Sequence, residues 1–307
     1  MITLFGIIAP VFALIGLGAA AMRLKLLELP AIKGMNDFVF YLAMPCLLFR
    51  SVADAPPLRL VDVAGSFIVG AVLLFALAVV IARKFLGARL AAASVFGLNC
   101  VFGNTVMLGI PIIDAAYGPA GVANLLAIVA FHSGLLLPLA TVLIEADAAD
   151  GRGPWQVVRA TLPGLLRNPV VMTILLAFAW RATGLGFVAP VTRFLTLLGA
   201  AGPPLALFCL GATLPRLNSW ADMKDVALAS VLKLVAMPAV VAIFAHLAGV
   251  TGIAFAVVVI TAGMPTGANA FMLARRFGTM MEASASTVVV STVLSLVTLS
   301  VLLEWLR

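Results

Sequence analysis

The sequence predicts an all-α integral membrane protein of ten transmembrane helices, built as two inverted five-helix repeats in which helices 4 and 9 are broken and cross. Three observations lead there: a composition too apolar for a water-soluble domain, a series of apolar runs of membrane-spanning length, and a match of the chain with itself. Of the 307 residues, 64% are hydrophobic and 10% are charged, and the mean hydropathy is +1.22. A soluble domain carries about 25% charged residues. Membrane barrels show short strands of alternating polarity, and no such alternation runs through this chain. Helices are then the elements that satisfy the backbone inside lipid.

The apolar runs fall at roughly 3–22, 36–53, 60–82, 92–117 and 121–143, then at 169–186, 190–214, 225–247, 251–275 and 283–305. Most approach the ~20 residues that a helix needs to cross the hydrocarbon layer. The first ends at Ala19–Ala21 in the manner of a secretory leader, but no basic segment precedes it. The internal match includes this run, so it counts as the first span.

Basic residues mark the connections in alternation. Arg23, Lys25 and Lys33 follow the first span, Arg50 and Arg59 the second, and Arg83, Lys84 and Arg89 the third. Arg152, Arg159 and Arg167 follow the fifth, Arg181 and Arg193 the sixth, Arg216 and Lys224 the seventh, and Arg275 and Arg276 the ninth. With the N-terminus outside, 13 of the 19 basic residues lie inside, five lie outside, and Lys233 falls within a span. Positive charge accumulates on the cytoplasmic side, so both termini are expected outside. The net charge of +7 is spread over short loops, not gathered in a patch or arm that would bind nucleic acid.

Cys46, Cys100 and Cys209 sit in apolar runs without CxxC spacing, which points to small core residues and to neither a metal site nor a disulfide framework.

The chain matches itself at a shift of 159–160 residues: Pro10 falls on Pro169, Pro30 on Pro190, Pro45 on Pro204, Phe49 on Phe208, and Tyr117–Gly118 on Phe277–Gly278. This divides it into a first repeat at 1–144, a polar cytoplasmic linker at 145–168, and a second repeat at 169–307. Five spans is an odd number, so the second copy enters the membrane from the opposite side. Inverted repeats of this kind are a recurring transporter architecture, with the solute site at mid-membrane on discontinuous helices.

Two irregular stretches stand at matching depths, FGNTVMLGIP (102–111) in the fourth run and AGMPTGANAF (262–271) in the ninth. Glycine and proline weaken or remove helical hydrogen bonds, and freed backbone groups persist in lipid only inside protein or along a cavity. Two converging half-helix N-termini favour an anion, with Asn104, Thr105, Thr266 and Asn269 as side-chain donors.

GNTVMLGIPIIDAAYG (103–118), MPTGANAFMLARRFG (264–278) and MPCLLFRS (44–51) resemble the fourth-, ninth- and second-span motifs of the auxin efflux carrier family, which includes plant PIN-type carriers and bacterial malate or malonate transporters. The resemblance covers nearly the whole chain. It implies the fold shared with sodium–bile-acid symporters and sodium–proton antiporters, a crossover near Gly103–Asn104 and Pro265, solute contact by Asn104, and elevator-type alternating access of spans 4 and 9 against spans 1, 2, 6 and 7. The candidate substrate-binding set is Gly103, Asn104, Thr105, Pro265, Thr266, Gly267 and Asn269. Gly103 stands where the plant motif has proline, so a softer break in span 4 is expected. The long cytoplasmic loop of many plant members is absent, which suits a bacterial inner-membrane carrier.

No Asp or Glu lies at either crossover, and Asp114 comes about 15 Å further along its helix; this argues against sodium–proton exchange and suits an anion. His132 and Lys233 are accessory candidates. His132 reads either as a proton relay or as a neutral imidazole bonded to backbone, and Lys233 either as an attractor of anions or as a side chain snorkelling to the cytoplasmic face. Arg275–Arg276 signals topology or gathers anions at the inner mouth, and His246 is a surface or interface residue. The expected activity is secondary transport or uniport of a small organic anion, a carboxylate such as malate or malonate or an auxin-like acid. A sodium- or proton-coupled symporter of bile-acid type is the alternative, and a homodimer is compatible with either. A receptor that binds without flux is a further rival. No HExxH, GxSxG or phosphate-binding loop motif occurs, so neither an intramembrane enzyme nor a nucleotide-driven pump is expected.

Overall fold

The computed structural model describes residues 2–53, 61–148, 169–213 and 223–306. Most of the 145–168 linker, with Arg152, Arg159 and Arg167, therefore lies outside the described residues, as do Arg59, Arg216 and Arg307. What is described is helical apart from turns and one isolated backbone bridge.

Helix α1 is Ile2–Arg23, and α2, Leu29–Phe38, runs through a π turn at Val39–Ala43 into α3, Met44–Ala53. Next come α4, Val61–Phe85, and α5, Leu90–Val101. A π turn at Thr105–Gly109 then opens α6, Ile110–Ala148. Gly118 bends α6 into two helices at φ 62° and ψ −160°, a conformation that a side chain would disfavour. In the second half, α7 is Pro169–Ala182, α8 Ala189–Ala200 and α9 Gly202–Thr213. They lead to α10, Met223–Val231, which passes through a π turn at Leu232–Ala236 into α11, Met237–Leu247. The last three are α12, Gly252–Ala262, α13, Ala268–Phe277, and α14, Met281–Trp305. Proline opens α2 and α8, where its missing N–H leaves no bond unmade.

Among the described residues, six helical runs are long and apolar enough to cross a membrane: Leu29–Arg50, Asp62–Phe85, Ala120–Asp147, Ala189–Ala212, Met223–Leu247 and Met281–Trp305. The chain is thus a multi-pass membrane protein. Leu90–Val101 and Gly252–Ala262 are apolar but short, because the fourth and ninth runs of the sequence are each interrupted part-way.

Polarity is turned inside out relative to a soluble protein. Along α14, Ser284, Ser291, Thr292 and Ser295 are buried, while Val293, Val297 and Val301 are 48%, 67% and 63% exposed. Some of these hydroxyl groups close their bonds inside the helix, as Thr292 Oγ1 does to the Val288 carbonyl at 2.6 Å, and the valines meet lipid.

The densest packing falls within two groups. In one, α1 lies against α9, and α3 against α7 and α8; in the other, α4 lies against α5 and α11, α12 against α11 and α6, and α10 against α14. Small residues let α1 and α9 approach backbone to backbone. A Cβ on Gly211 would stand 1.9 Å from the Ile15 carbonyl oxygen, and one on Gly18 2.0 Å from that of Phe208.

Residues that the loops assign to one side gather in space. Arg89 pairs with Asp147 at 3.6 Å beside a pocket that also reaches Phe277 and Thr279, and Lys33, Arg275 and Arg276 line another. The Arg276 guanidinium stands 5.4 Å and 5.2 Å from the ring centres of Phe40 and Tyr41, a cation–π contact. His246 is exposed and Cys100 and Cys209 are buried. Substituting Gly211→Ala should lower stability by about 1–3 kcal/mol through overpacking of the α1–α9 contact, read as a drop in melting temperature of the detergent-purified protein. Gly16→Ala, with open space around its Cβ, should leave the melt unchanged within error.

Candidate functional site

Two gaps in the helices define the site. Helix α5 stops at Val101, after which Phe102 is extended (φ −81°, ψ 109°) and Asn104 adopts φ −78°, ψ 64°. Helix α12 stops at Ala262, and the chain stays non-helical to Gly267 (φ −81°, ψ 148°). Gly103, Gly263, Pro265 and Gly267 are poor helix formers, which is why the interruptions fall there.

The two stretches pair as a minimal antiparallel ladder, bridged between Gly103 and Thr266. Asn104 N–H donates to the Pro265 carbonyl at 2.7 Å, and Gly267 N–H to that of Phe102 at 2.9 Å. Only glycine fits at 267, because a Cβ there would lie 2.9 Å from the Gly103 carbonyl oxygen. Side chains from neighbouring helices take up the remaining groups. Gly103 N–H donates to His132 Nε2 at 3.3 Å, and Thr266 N–H to Ser291 Oγ at 3.0 Å. Thr266 Oγ1 donates to the Asn99 carbonyl, and Ser284 Oγ to Asn99 Oδ1, each at 2.8 Å. The break in the first stretch is thus firmly bonded, not softened by Gly103, and a proline at 103 would forfeit the bond to His132.

Beside this ladder lies a narrow cavity of about 40 Å³, enough for a few water-sized groups. One wall is Asn104, Thr105, Val106, Ala268 and Asn269, joined by Ser133; the opposite wall is Leu47 and Leu48 of α3 with Pro203 and Leu207 of α9. The cavity therefore lies between the two groups of helices.

The loose donors differ from those that the sequence suggests. The N–H groups of Gly103, Asn104, Thr266 and Gly267 are all spent inside the protein. Those without an acceptor among the described residues belong to Thr105, Val106, Ala268 and Asn269, the opening turns of the two half-helices, where no intrahelical partner exists. Asn104 and Asn269 keep side-chain amides with no partner among the described residues, and both line the cavity with Thr105. Thr266 does not; its hydroxyl is fully buried and committed to Asn99. Gly103 and Gly267 line the cavity with backbone, whereas Pro265 contributes its carbonyl to the ladder.

His132 is fully buried, with Phe102 at 4.0 Å and Phe67 at 5.6 Å between ring centres. Since a backbone N–H can only donate, Nε2 accepts and the ring is neutral with its proton on Nδ1. This is the backbone-bonded imidazole of the two sequence readings. Lys233 does not snorkel: it is fully buried, and Nζ donates to the Ala262 carbonyl at 2.5 Å. Ser133, Asn99, Ser284 and Ser291 were missed by the motif reading. Ser291 stands 159 residues after His132, the offset of the internal match, and that offset is the signal that leads to it.

Replacing Gly267 by Ala should lower the melting temperature of the purified protein by the equivalent of about 1–3 kcal/mol, since backbone, not a movable side chain, opposes the new methyl. Gly103→Ala, whose Cβ would meet only ordinary contacts from 3.4 Å outward, should cost clearly less in the same melt.

Comparison with known proteins bears on what this site serves. The chain is 25% identical over 315 residues to a protein of Rhizobium meliloti (strain 1021) named "Putative malonate transporter", covering all of this chain and 97% of that one. It is 24% identical over 343 residues to auxin efflux carrier component 8 of Arabidopsis thaliana, covering 94% of this chain and 93% of that one. The family described as "Membrane transport protein" matches residues 3–303, so the chain belongs to this family, that of the auxin efflux carriers.

Proposed function

We propose that this protein is a secondary transporter or uniporter that moves a small organic anion, a mono- or dicarboxylate of the malonate and malate class, across the bacterial inner membrane. One observation carries the reading. Four backbone N–H groups at two half-helix N-termini and the two free amides of Asn104 and Asn269 converge on one cavity. Such an array offers donors and positive dipole ends to a carboxylate, and no acidic residue among those described lines the cavity to repel it. A narrow space favours a small solute over a bulky amphiphile, and the name of the Rhizobium relative points to the same class.

The cavity's two walls support an elevator mechanism. Helices α4–α6 and α10–α14 would carry the solute past a scaffold of α1–α3 and α7–α9. Ten spans in two inverted repeats are supported by the packing: α1 with α9 and α3 with α7 exchange places when the halves are interchanged. Gly118 and Gly278 also both take positive φ, 62° and 65°, at equivalent positions. The distribution of Arg and Lys supports both termini outside.

The decisive experiment is uptake and counterflow in proteoliposomes with malonate, malate and an aromatic auxin-like acid, with and without sodium and at two pH values. Removing one charge-assisted donor costs about 1.5–3 kcal/mol, so Asn104→Ala and Asn269→Ala should each weaken malonate binding about 10- to 100-fold while the folded protein remains. Wild-type uptake by both variants would remove the site from this reading.

A further inference from the structure

The half-helix ends at the crossing come in two signs. Thr105 and Ala268 lie at N-terminal ends and offer N–H groups, whereas α5 and α12 close at Val101 and Ala262 and present carbonyls, the negative poles of their dipoles. Neutral donors satisfy the first carbonyl end: Thr266 Oγ1 reaches the Asn99 oxygen and Gly267 N–H that of Phe102. The second is closed in part by backbone, with Gly263 N–H on the Val259 oxygen and Met264 N–H on that of Thr261, and its last carbonyl takes the amino group of a lysine. Lys233, without solvent exposure, donates to the Ala262 oxygen.

Lys233 reaches that oxygen from the π turn Leu232–Ala236, a widened turn of the kind that recurs at functional sites. Around the same helix end, polar groups are left over. The hydroxyl of Thr261, one residue before the acceptor, is buried and has no partner among the described residues, and nor has that of Ser230, one turn before Lys233. A buried ammonium with a single bonded carbonyl is costly, so a purely structural cap is a poor account when the other carbonyl end is closed by neutral groups.

Carbonyl ends of interrupted helices are where broken-helix transporters coordinate a dissolved sodium ion or a proton. We propose that the Lys233 ammonium is a tethered cation filling such a site, so that the positive charge which a coupling ion would bring and release in each cycle is here a fixed part of the chain. The solute anion then binds without sodium. The inference rests on the anion reading above: a positive charge on Lys233 offsets that of a carboxylate held by the adjoining half-helices.

The test melts purified protein in choline, sodium and methylammonium chlorides, with and without malonate. Wild type should show one midpoint in all three salts, and malonate should raise it equally in each. Lys233→Ala opens a space of ammonium size; it should melt lower in choline and recover in sodium or methylammonium. Lys233→Met fills the volume without charge; it should be indifferent to the cation and bind malonate about tenfold more weakly or worse. The inference is overturned if sodium tightens wild-type malonate binding about tenfold or more, if Lys233→Met binds malonate like wild type, or if Lys233→Ala ignores both small cations. Should Lys233→Ala fail to fold, the methionine variant decides. If no carboxylate shifts the wild type in any salt, the anion reading fails. The solute-free salt series still decides whether Lys233 occupies a cation site.

Discussion

The antiparallel pairing of Phe102–Asn104 with Pro265–Gly267 is the constraint on which the site depends. Within the membrane an unpaired peptide group costs several kcal/mol, so a helix breaks there only if something else takes its hydrogen bonds. Each broken segment is the partner of the other, through two backbone bonds and a single bridge. The pairing is mutual, and neither interruption would be tolerable alone. It also fixes where the half-helices restart, and with them the loose N–H groups of Thr105, Val106, Ala268 and Asn269.

Support for that ladder comes from an inner lining of small polar residues. His132 and Ser291 each accept one N–H of a broken stretch, and Asn99 takes the Thr266 hydroxyl on its carbonyl and the Ser284 hydroxyl on its amide oxygen. These bonds turn otherwise mobile backbone into a preorganised surface, the condition for solute binding without a large ordering cost. The lipid-facing residues of the same helices are valine and leucine. Polarity inside and hydrocarbon outside is the arrangement a bilayer selects.

Most of the fold was legible because lipid imposes simple rules on sequence. The apolar runs and the interruptions near Gly103 and Pro265 follow from local residue chemistry. Of the candidate binding residues, Asn104, Thr105 and Asn269 line the cavity, while the Thr266 hydroxyl turns to the Asn99 carbonyl; a hydroxyl inside an apolar run carries no sign in the sequence of whether it faces a space or a carbonyl. His132 and Lys233 were recognised as unusual, but their partners lie 29 residues away on other helices, beyond any motif.

The sequence by itself determined the class, the positions of the helical breaks and the residue types gathered at them, since hydropathy, glycine, proline and charge act locally or through the bilayer. Tertiary structure alone decided which donors are spent and which are left over. Hydrogen bonding is exclusive: once Gly103, Asn104, Thr266 and Gly267 have given their N–H groups to the crossing, loose backbone donors are left only in the next turn of each half-helix. That allocation depends on two segments some 160 residues apart meeting in space.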